Sequence, residues 1–117
     1  MISTLLAALV IAAAGGGDER PAFRDARCPA GAANCESATG RVLFVEARDP
    51  DGDGDAHFVI AGEADVTAPG ISVLDIRREL RPRPLPGPGD LVSAAGPVYE
   101  GSFGQRQIQA DVFEVAP

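Results

Sequence analysis

Apolar and polar residues alternate most regularly near the end of the chain. The run Leu91–Val98 places small or apolar residues at every second position, as in a strand with one buried face. Two glycines in Glu100–Gly104 allow the chain to reverse. In the returning run Ile108, Ala110 and Val112 alternate with polar residues. The pattern predicts a β-hairpin whose return strand buries these three side chains.

Three further strands are predicted upstream. The first two form a second hairpin, and the acidic segment between them is its loop. In the first strand we expect Leu43, Val45 and Ala47 to face the core and Val42 and Phe44 to face outward. A helical turn and a proline-rich extended connection follow the third strand. The segments are, in order, strands Arg41–Arg48, His57–Ala61 and Ile71–Ile76, the turn Arg77–Leu80 and the connection Arg81–Pro88.

The composition favours one small, turn-rich domain. The 117 residues leave room for a single core, and 14 glycines and 10 prolines indicate short elements joined by many turns. The net charge of −7 opposes broad attraction to nucleic acid phosphates. The charged residues are also separated along the chain. Aspartates are concentrated in Asp49–Asp55 and arginines in Arg77–Arg83.

The chain opens with an apolar run from Thr4 to Ala14. This run is too short to span a bilayer comfortably as a helix, and it ends on alanines of the kind that signal peptidases accept. No Lys or Arg precedes it, so an uncleaved anchor and a different start codon are the alternatives. We expect residues 1–14 to be a signal peptide, and the mature protein to be secreted or in the cell envelope with no membrane span.

The only two cysteines, Cys28 and Cys35, lie in an irregular segment rich in turn residues. In an exported chain this spacing predicts a local disulfide, which would stabilise the fold by roughly 2–3 kcal/mol. Six residues separate the cysteines, whereas redox sites usually have two. A metal site would need further ligands, and His57 alone cannot complete it.

The segment PGDLVSAAGPVYEGSFGQRQIQADVFEV resembles the last hairpin of the OB-fold, as found in small bacterial OB domains of nucleic-acid enzymes and of exported proteins. The resemblance covers Gly40–Ala116 and implies an all-β fold, a five-stranded Greek-key barrel. Residues 15–39 are then an irregular N-terminal arm tied by the disulfide, and residues 40–117 form the barrel. An SH3-like barrel and a small sandwich are the alternatives.

Four aspartates alternate in the loop of the first hairpin, namely Asp49, Asp51, Asp53 and Asp55. Oxygen ligands at alternate positions can surround one hard cation, so calcium is the cofactor that the pattern admits. The closing glutamate of an EF-hand is missing, and Asp-Gly pairs are common in hairpin turns. A solvated acidic tip is the alternative.

His57 follows this loop directly and lies two residues from Asp55. A metal-dependent nuclease or phosphoesterase could use such residues. The chain contains no GxSxG motif, and the motifs of staphylococcal-type nucleases are absent at matched positions. We therefore expect a protein that is not an enzyme.

The OB-fold resemblance implies a ligand site on the sheet face and the last hairpin. Tyr99 and Phe103 could stack on a ligand, and Arg106 could contact a phosphate. The full candidate set is Phe58, Leu74, Arg77, Tyr99, Phe103 and Arg106. We expect a monomeric, non-catalytic module that binds single-stranded nucleic acid, an oligosaccharide or a protein. A metal-dependent hydrolase and a structural protein of the cell envelope are the alternatives.

Overall fold

The computed structural model describes residues 23–46 and 54–117, and in these ranges the chain is all-β without an α-helix. The predicted signal peptide and Asp49, Asp51 and Asp53 lie outside the described residues. One 3₁₀ turn, Arg78–Leu80, follows the third strand at the position predicted for a helical turn. The strands are β1 (Glu36–Glu46), β2 (Ala56–Gly62), β3 (Ile71–Ile76), β4 (Leu91–Gly96), β5 (Val98–Glu100), β6 (Arg106–Gln109) and β7 (Val112–Val115).

The seven strands form one sheet in the order β5-β6-β3-β2-β1-β4-β7. Neighbouring strands are antiparallel except β3 and β6, which run parallel. The ladder of strand pairs is not closed, so the expected five-stranded barrel is not confirmed.

The strand number exceeds five because both strands of the last predicted hairpin are interrupted. Pro97 has no backbone N–H and separates β4 from β5. On the return, the N–H of Ala110 bonds to the carbonyl of Asp75, and that of Asp111 bonds to the carbonyl of Ala95. Because β5 pairs with β6 and β4 pairs with β7, the two interrupted strands still run antiparallel along their length. Val112, predicted to be buried, lies beyond the interruption and is 38% exposed.

The core lies on one face of the sheet and is built from rows of register partners. One row crosses five strands through side chains that face each other on neighbouring strands. It consists of Val45, Phe58, Leu74, Ile108 and Val98. Phe58, Leu74 and Ile108 are fully buried, and the ring of Phe113 packs against Phe58 with centroids 5.3 Å apart. Burial of large side chains of this kind contributes about 1.5–3 kcal/mol each.

A β-bulge changes the predicted faces of β1. Val42 pairs with Ile60 and Phe44 with Val59, so Leu43 is the extra residue on β1. Val42 is therefore buried, whereas Leu43 is 49% exposed, the reverse of the prediction from simple alternation. Val45 faces the core as predicted, because the bulge restores the alternation after Phe44.

The predicted disulfide is present, with Cys28 and Cys35 Cα atoms 5.9 Å apart. The preceding arm is not irregular up to residue 39 as predicted, because β1 begins at Glu36. The arm also covers the second face of β4, where the N–H of Ala26 donates to Ser93 Oγ at 2.7 Å. As a result Ser93 is buried on the face of β4 that points away from the core.

The side chain of Asn34 extends the β1–β4 ladder beyond its backbone end. The last backbone pair is Glu36 with Gly96, and two residues further along each strand stand Asn34 and Val98. Asn34 Nδ2 donates to the Val98 carbonyl, and the Val98 N–H donates to Asn34 Oδ1, each at 3.3 Å. A side-chain amide thus takes the place of a backbone peptide beside β5.

Candidate binding face

Two of the predicted ligand contacts have side chains that are not exposed to solvent. Phe58 and Leu74 are register partners, and both are 0% exposed within the core. Their positions follow from the period of two, because His57 and Asp75 take the outward places on the same two strands. The structure therefore corrects the assignment of Phe58 and Leu74 to a ligand site.

The structure also separates Tyr99 from Arg106. Tyr99 pairs with Gln107, so the two share one face and Arg106 points to the other. Arg106 Nη2 donates to Glu36 Oε2 at 2.9 Å, and Arg106 Nε donates to the Val66 carbonyl at 3.2 Å. The predicted combination of a stacking ring and a phosphate contact at one place is not formed.

Arg77 lies beyond the opposite end of β3. Arg106 directly precedes Gln107, the partner of Val73, whereas Arg77 comes after the last residue of the strand. At about 3.3 Å per residue the two arginines are roughly 13 Å or more apart along the strand direction. Arg77 Nη1 donates to the Ala110 carbonyl at 2.9 Å and lies 3.5 Å from Asp111 Oδ1. Both predicted phosphate contacts are thus engaged within the protein.

An apolar strip crosses the outer face of the sheet, the face opposite the core. Phe44 pairs with Val59 and Val59 with Val73, so three apolar side chains on three adjacent strands lie in one row. Phe44 is 52% exposed, and the bulge leaves Leu43 exposed beside it. We call Leu43, Phe44, Val59 and Val73 the outer strip. It spans roughly 10 Å at the usual separation of strands.

The same row continues across β6 and β5. Val73 pairs with Gln107, and Gln107 pairs with Tyr99, which is 51% exposed. The outer face therefore has an apolar end on β1 and an aromatic end on β5, with a polar residue between them. Tyr99 is the one predicted contact that the structure places on this row.

A polar row runs beside the outer strip. It consists of the register partners Glu46, His57, Asp75 and Gln109. His57 Nε2 lies 3.7 Å from Asp75 Oδ1, and Gln107 Nε2 donates to Asp75 Oδ2 at 3.2 Å. Asp75 is only 9% exposed although it points away from the core. A carboxylate that is buried in this way is stabilised by the donors around it.

A chain of amides, the amide relay, connects Asp75 to the tip of the last hairpin. Gln107 donates to Asp75, Gln105 Nε2 donates to Gln107 Oε1 at 3.1 Å, and the N–H of Phe103 donates to Gln105 Oε1 at 3.0 Å. Gly101 lies against both amides, and a Cβ atom there would collide with Gln105 Nε2 and Gln107 Oε1. Phe103 itself is 91% exposed.

Gly54, at the end of the acidic segment, lies beside Arg78 of the 3₁₀ turn and beside Arg81, the residue that follows the turn. Arg81 Nη1 donates to the Gly54 carbonyl at 2.8 Å, and the Arg78 guanidinium lies against the Cα of Gly54. The arginine segment thus contacts Gly54 of the acidic segment through its backbone. Within residues 23–46 and 54–117, no three His, Cys, Asp or Glu side chains are grouped closely enough to hold a metal ion. Of the four candidate calcium ligands, only Asp55 belongs to these ranges.

No protein-family model matches the chain, and no curated protein matches its sequence. No helix in the described part of the chain has the length and apolar character needed to cross a membrane.

The outward position of Phe44 was predicted from the sequence, but the exposure of Leu43 and the amide relay were not. The relay needs Gln107 beside Asp75, and that contact depends on the parallel pairing of β3 with β6, which are 32 residues apart at this point. Glutamines at positions 105, 107 and 109 were visible as an alternating set, but the same pattern describes any solvated strand face.

Proposed function

We propose that this protein is a non-catalytic binding module that holds an extended segment of a partner protein across its outer sheet face. The observation that carries the proposal is the exposed pair Leu43 and Phe44 at the β-bulge, which continues into Val59 and Val73. Exposed apolar side chains that are contiguous and bordered by polar residues are typical of protein interaction sites.

An OB-like barrel is the fold that we propose for this face. Two observations on strand pairing support this fold. Strands β4–β5 and β6–β7 pair as one interrupted hairpin. This hairpin pairs with β1 through β4 and with β3 through β6. The N–H of Gln109 also donates to the Pro97 carbonyl at 2.8 Å across the interruption. In such a barrel the outer face of β2 and β3 is a usual place for ligands.

A protein partner fits this face better than a nucleic acid does. Single-stranded nucleic acids need cations along the backbone path, but Arg77 and Arg106 are held by Asp111 and Glu36. The net charge of −7 adds a general repulsion.

A protein partner also fits better than an oligosaccharide. Sugars are bound through polar side chains that are free to bond hydroxyl groups, together with an aromatic ring. On this face Gln107 is 4% exposed, and its amide is already bonded to Asp75 and Gln105. Tyr99 supplies a ring, but Gln107, the polar residue paired with it, is occupied.

The acidic loop between β1 and β2 favours a partner segment that carries positive charge. These two strands carry Leu43, Phe44 and Val59, and the chain between them contains the acidic segment Asp49–Asp55. A segment that combines apolar and basic residues would complement both features. Steering by opposite charge raises the association rate and weakens with added salt.

Tyr99 provides the readout for a direct test, because it is the only tyrosine and the chain has no tryptophan. We suggest titrating the protein with a peptide that alternates Lys and Phe, with its Glu-Phe counterpart, and with oligo-dT. The test variant is Leu43→Ser with Phe44→Ser. The matched control is Val112→Ser, which removes an exposed apolar side chain from β7.

The proposal expects binding of the basic peptide, weaker binding at higher salt, and a loss of ten-fold or more in the double variant. The control variant should bind as the wild type does. Tighter binding of oligo-dT than of the basic peptide, or equal affinities in wild type and double variant, would overturn it.

Export belongs to the same proposal and is supported by the disulfide, since stable disulfides form in oxidising compartments. Mass spectrometry of the protein from its native host should find a chain that begins near residue 15. Intact chain beginning at Met1 in the cytoplasm would contradict export.

A further inference from the structure

We infer that the tip of the last hairpin is a preorganised anchor, in which Phe103 enters an apolar pocket of the partner protein. The inference rests on the proposed function in taking a protein as the partner, but it concerns a different surface. The amide relay holds the tip in place before the partner arrives.

Phe103 has the most exposed large apolar side chain in the described part of the chain, at 91%. It stands between Ser102 and Gly104, which have little or no side chain to cover it. An aromatic ring that projects this far can be almost completely enclosed by a pocket on another protein. Central, fully enclosed aromatic residues supply much of the affinity in protein interfaces.

The backbone of the tip is ordered by its own hydrogen bonds. The N–H of Gly101 donates to the Gln105 carbonyl at 2.7 Å, and the N–H of Gly104 donates to the Gly101 carbonyl at 2.9 Å. Gly104 has a φ of +78°, a conformation that glycine adopts without strain. With Phe103 bonded to Gln105, three of the four N–H groups from Gly101 to Gly104 are satisfied within the hairpin.

The amide relay gives the tip an external support. Its three hydrogen bonds run in one direction, since each amide donates toward Asp75 and accepts from the side of the tip. The relay ends on a buried carboxylate, which makes the last bond charge-assisted and strengthens the bonds behind it. The position of Phe103 is therefore fixed through Gln105 and Gln107 to the centre of the sheet. A loop that is ordered before binding loses less conformational entropy on binding.

The charges near the tip favour a protein pocket over an anionic surface. Glu100 begins the turn, and Arg106, which ends it, points to the other face and is paired with Glu36. A nucleic acid or an anionic membrane would need unpaired cations beside the ring.

The first experiment places a photo-crosslinking benzophenone amino acid at position 103 of the full chain in the native host, with position 112 as the control. Val112 is exposed and apolar but lies on β7, away from the tip. The protein captured at position 103 is identified, purified and titrated against unmodified wild type and against Phe103→Ala, Phe103→Trp and Gln107→Leu.

We expect a discrete product at position 103 but not at 112. Phe103→Ala should then weaken the purified complex by ten-fold or more, while Phe103→Trp should bind within a few-fold of wild type. Gln107→Leu should weaken binding several-fold although Phe103 is retained. It should also speed hydrogen exchange of the Phe103 amide by a larger factor than that of the core residue Ile108, whose exchange reports only the change in global stability.

Three results would overturn the inference. One is equal crosslinking at positions 103 and 112, and another is unchanged affinity in Phe103→Ala. The third is unchanged affinity and exchange in Gln107→Leu, which would show that the relay does not hold the tip. The Leu43→Ser, Phe44→Ser variant separates the two proposals. If only that variant loses binding, the proposed role of the outer strip is supported and the proposed role of Phe103 is wrong.

Discussion

Two segments adjoin β5 and are held in different ways. The loop from Cys28 to Cys35 is closed by a covalent bond and reaches β5 through the side chain of Asn34. The tip from Glu100 to Gln105 has no covalent closure and is held by its backbone bonds and the amide relay. In both segments side-chain amides bond to backbone groups that no neighbouring strand pairs.

Together with the proposed anchor, the difference assigns stability to the first segment and presentation of Phe103 to the second. A disulfide acts mainly by restricting the unfolded chain, so it stabilises the fold whatever the loop contacts. The relay acts only in the folded state, and the side chain that it helps to position, Phe103, contributes no buried surface to the core. Each of the following predictions tests this division of roles.

Removal of the disulfide should have the largest effect on stability. Cys28→Ser with Cys35→Ser frees a short loop and loosens the arm that covers Ser93, so we expect a loss of roughly 2–3 kcal/mol in the free energy of unfolding. Urea denaturation monitored by circular dichroism measures it. Hydrogen exchange of the Phe103 amide in the folded state should stay as in wild type. Faster exchange confined to the tip would contradict the separate roles of the disulfide loop and the tip.

Removal of the relay should have the next largest effect. Gln107→Leu keeps a side chain of similar size but leaves Asp75 without one donor, and an unmet buried polar group destabilises by roughly 1–3 kcal/mol. We expect a loss of about 1.5 kcal/mol by urea denaturation. Ser37→Ala, at an exposed site on β1, is the control and should change little. A variant as stable as wild type would mean that another group replaces the amide beside Asp75.

Asn34→Ala should destabilise the protein by about 1 kcal/mol, since it removes two long, partly buried hydrogen bonds. The specific sign is faster hydrogen exchange of the Val98 amide, which donates to Asn34 Oδ1 in the wild type. Unchanged exchange at Val98 would show that Asn34 does not extend the β1 ladder in solution.

Phe103→Ala should have the smallest effect, within about 0.5 kcal/mol of wild type, because surface substitutions away from packed features rarely change stability more. The melting temperature and the urea midpoint measure it. A clear destabilisation would mean that Phe103 packs against the protein and is not held out for a partner.

The strands β2 and β3 could be predicted almost to the residue, because their alternation is uninterrupted and each is bounded by glycine or a charged turn. The disulfide followed from having only two cysteines in a segment rich in turns. Both are local properties that the sequence displays directly.

What failed depends on pairing between distant strands or on single-residue irregularities. The extra residue at Leu43 is an irregularity in the pairing with β2, and it reversed the expected faces of Val42 and Leu43. Pro97 divides a run whose apolar pattern continues through it. Tyr99 and Arg106 do not meet at one place because they are an odd number of positions apart along a paired hairpin, which places them on opposite faces. The register of the last hairpin has to be known before that can be seen.

The bulge at Leu43 has a consequence for how such a surface can arise and be altered. Without Leu43, Val42 with Ile60 and Phe44 with Val59 would be consecutive pairs of an unbroken ladder, and the core would keep its residues. A one-codon insertion in a regular strand is therefore enough to add a large apolar side chain to the exposed face. Insertions of other residues at this point offer protein engineers a way to vary the exposed face, because the added side chain is not part of the buried core.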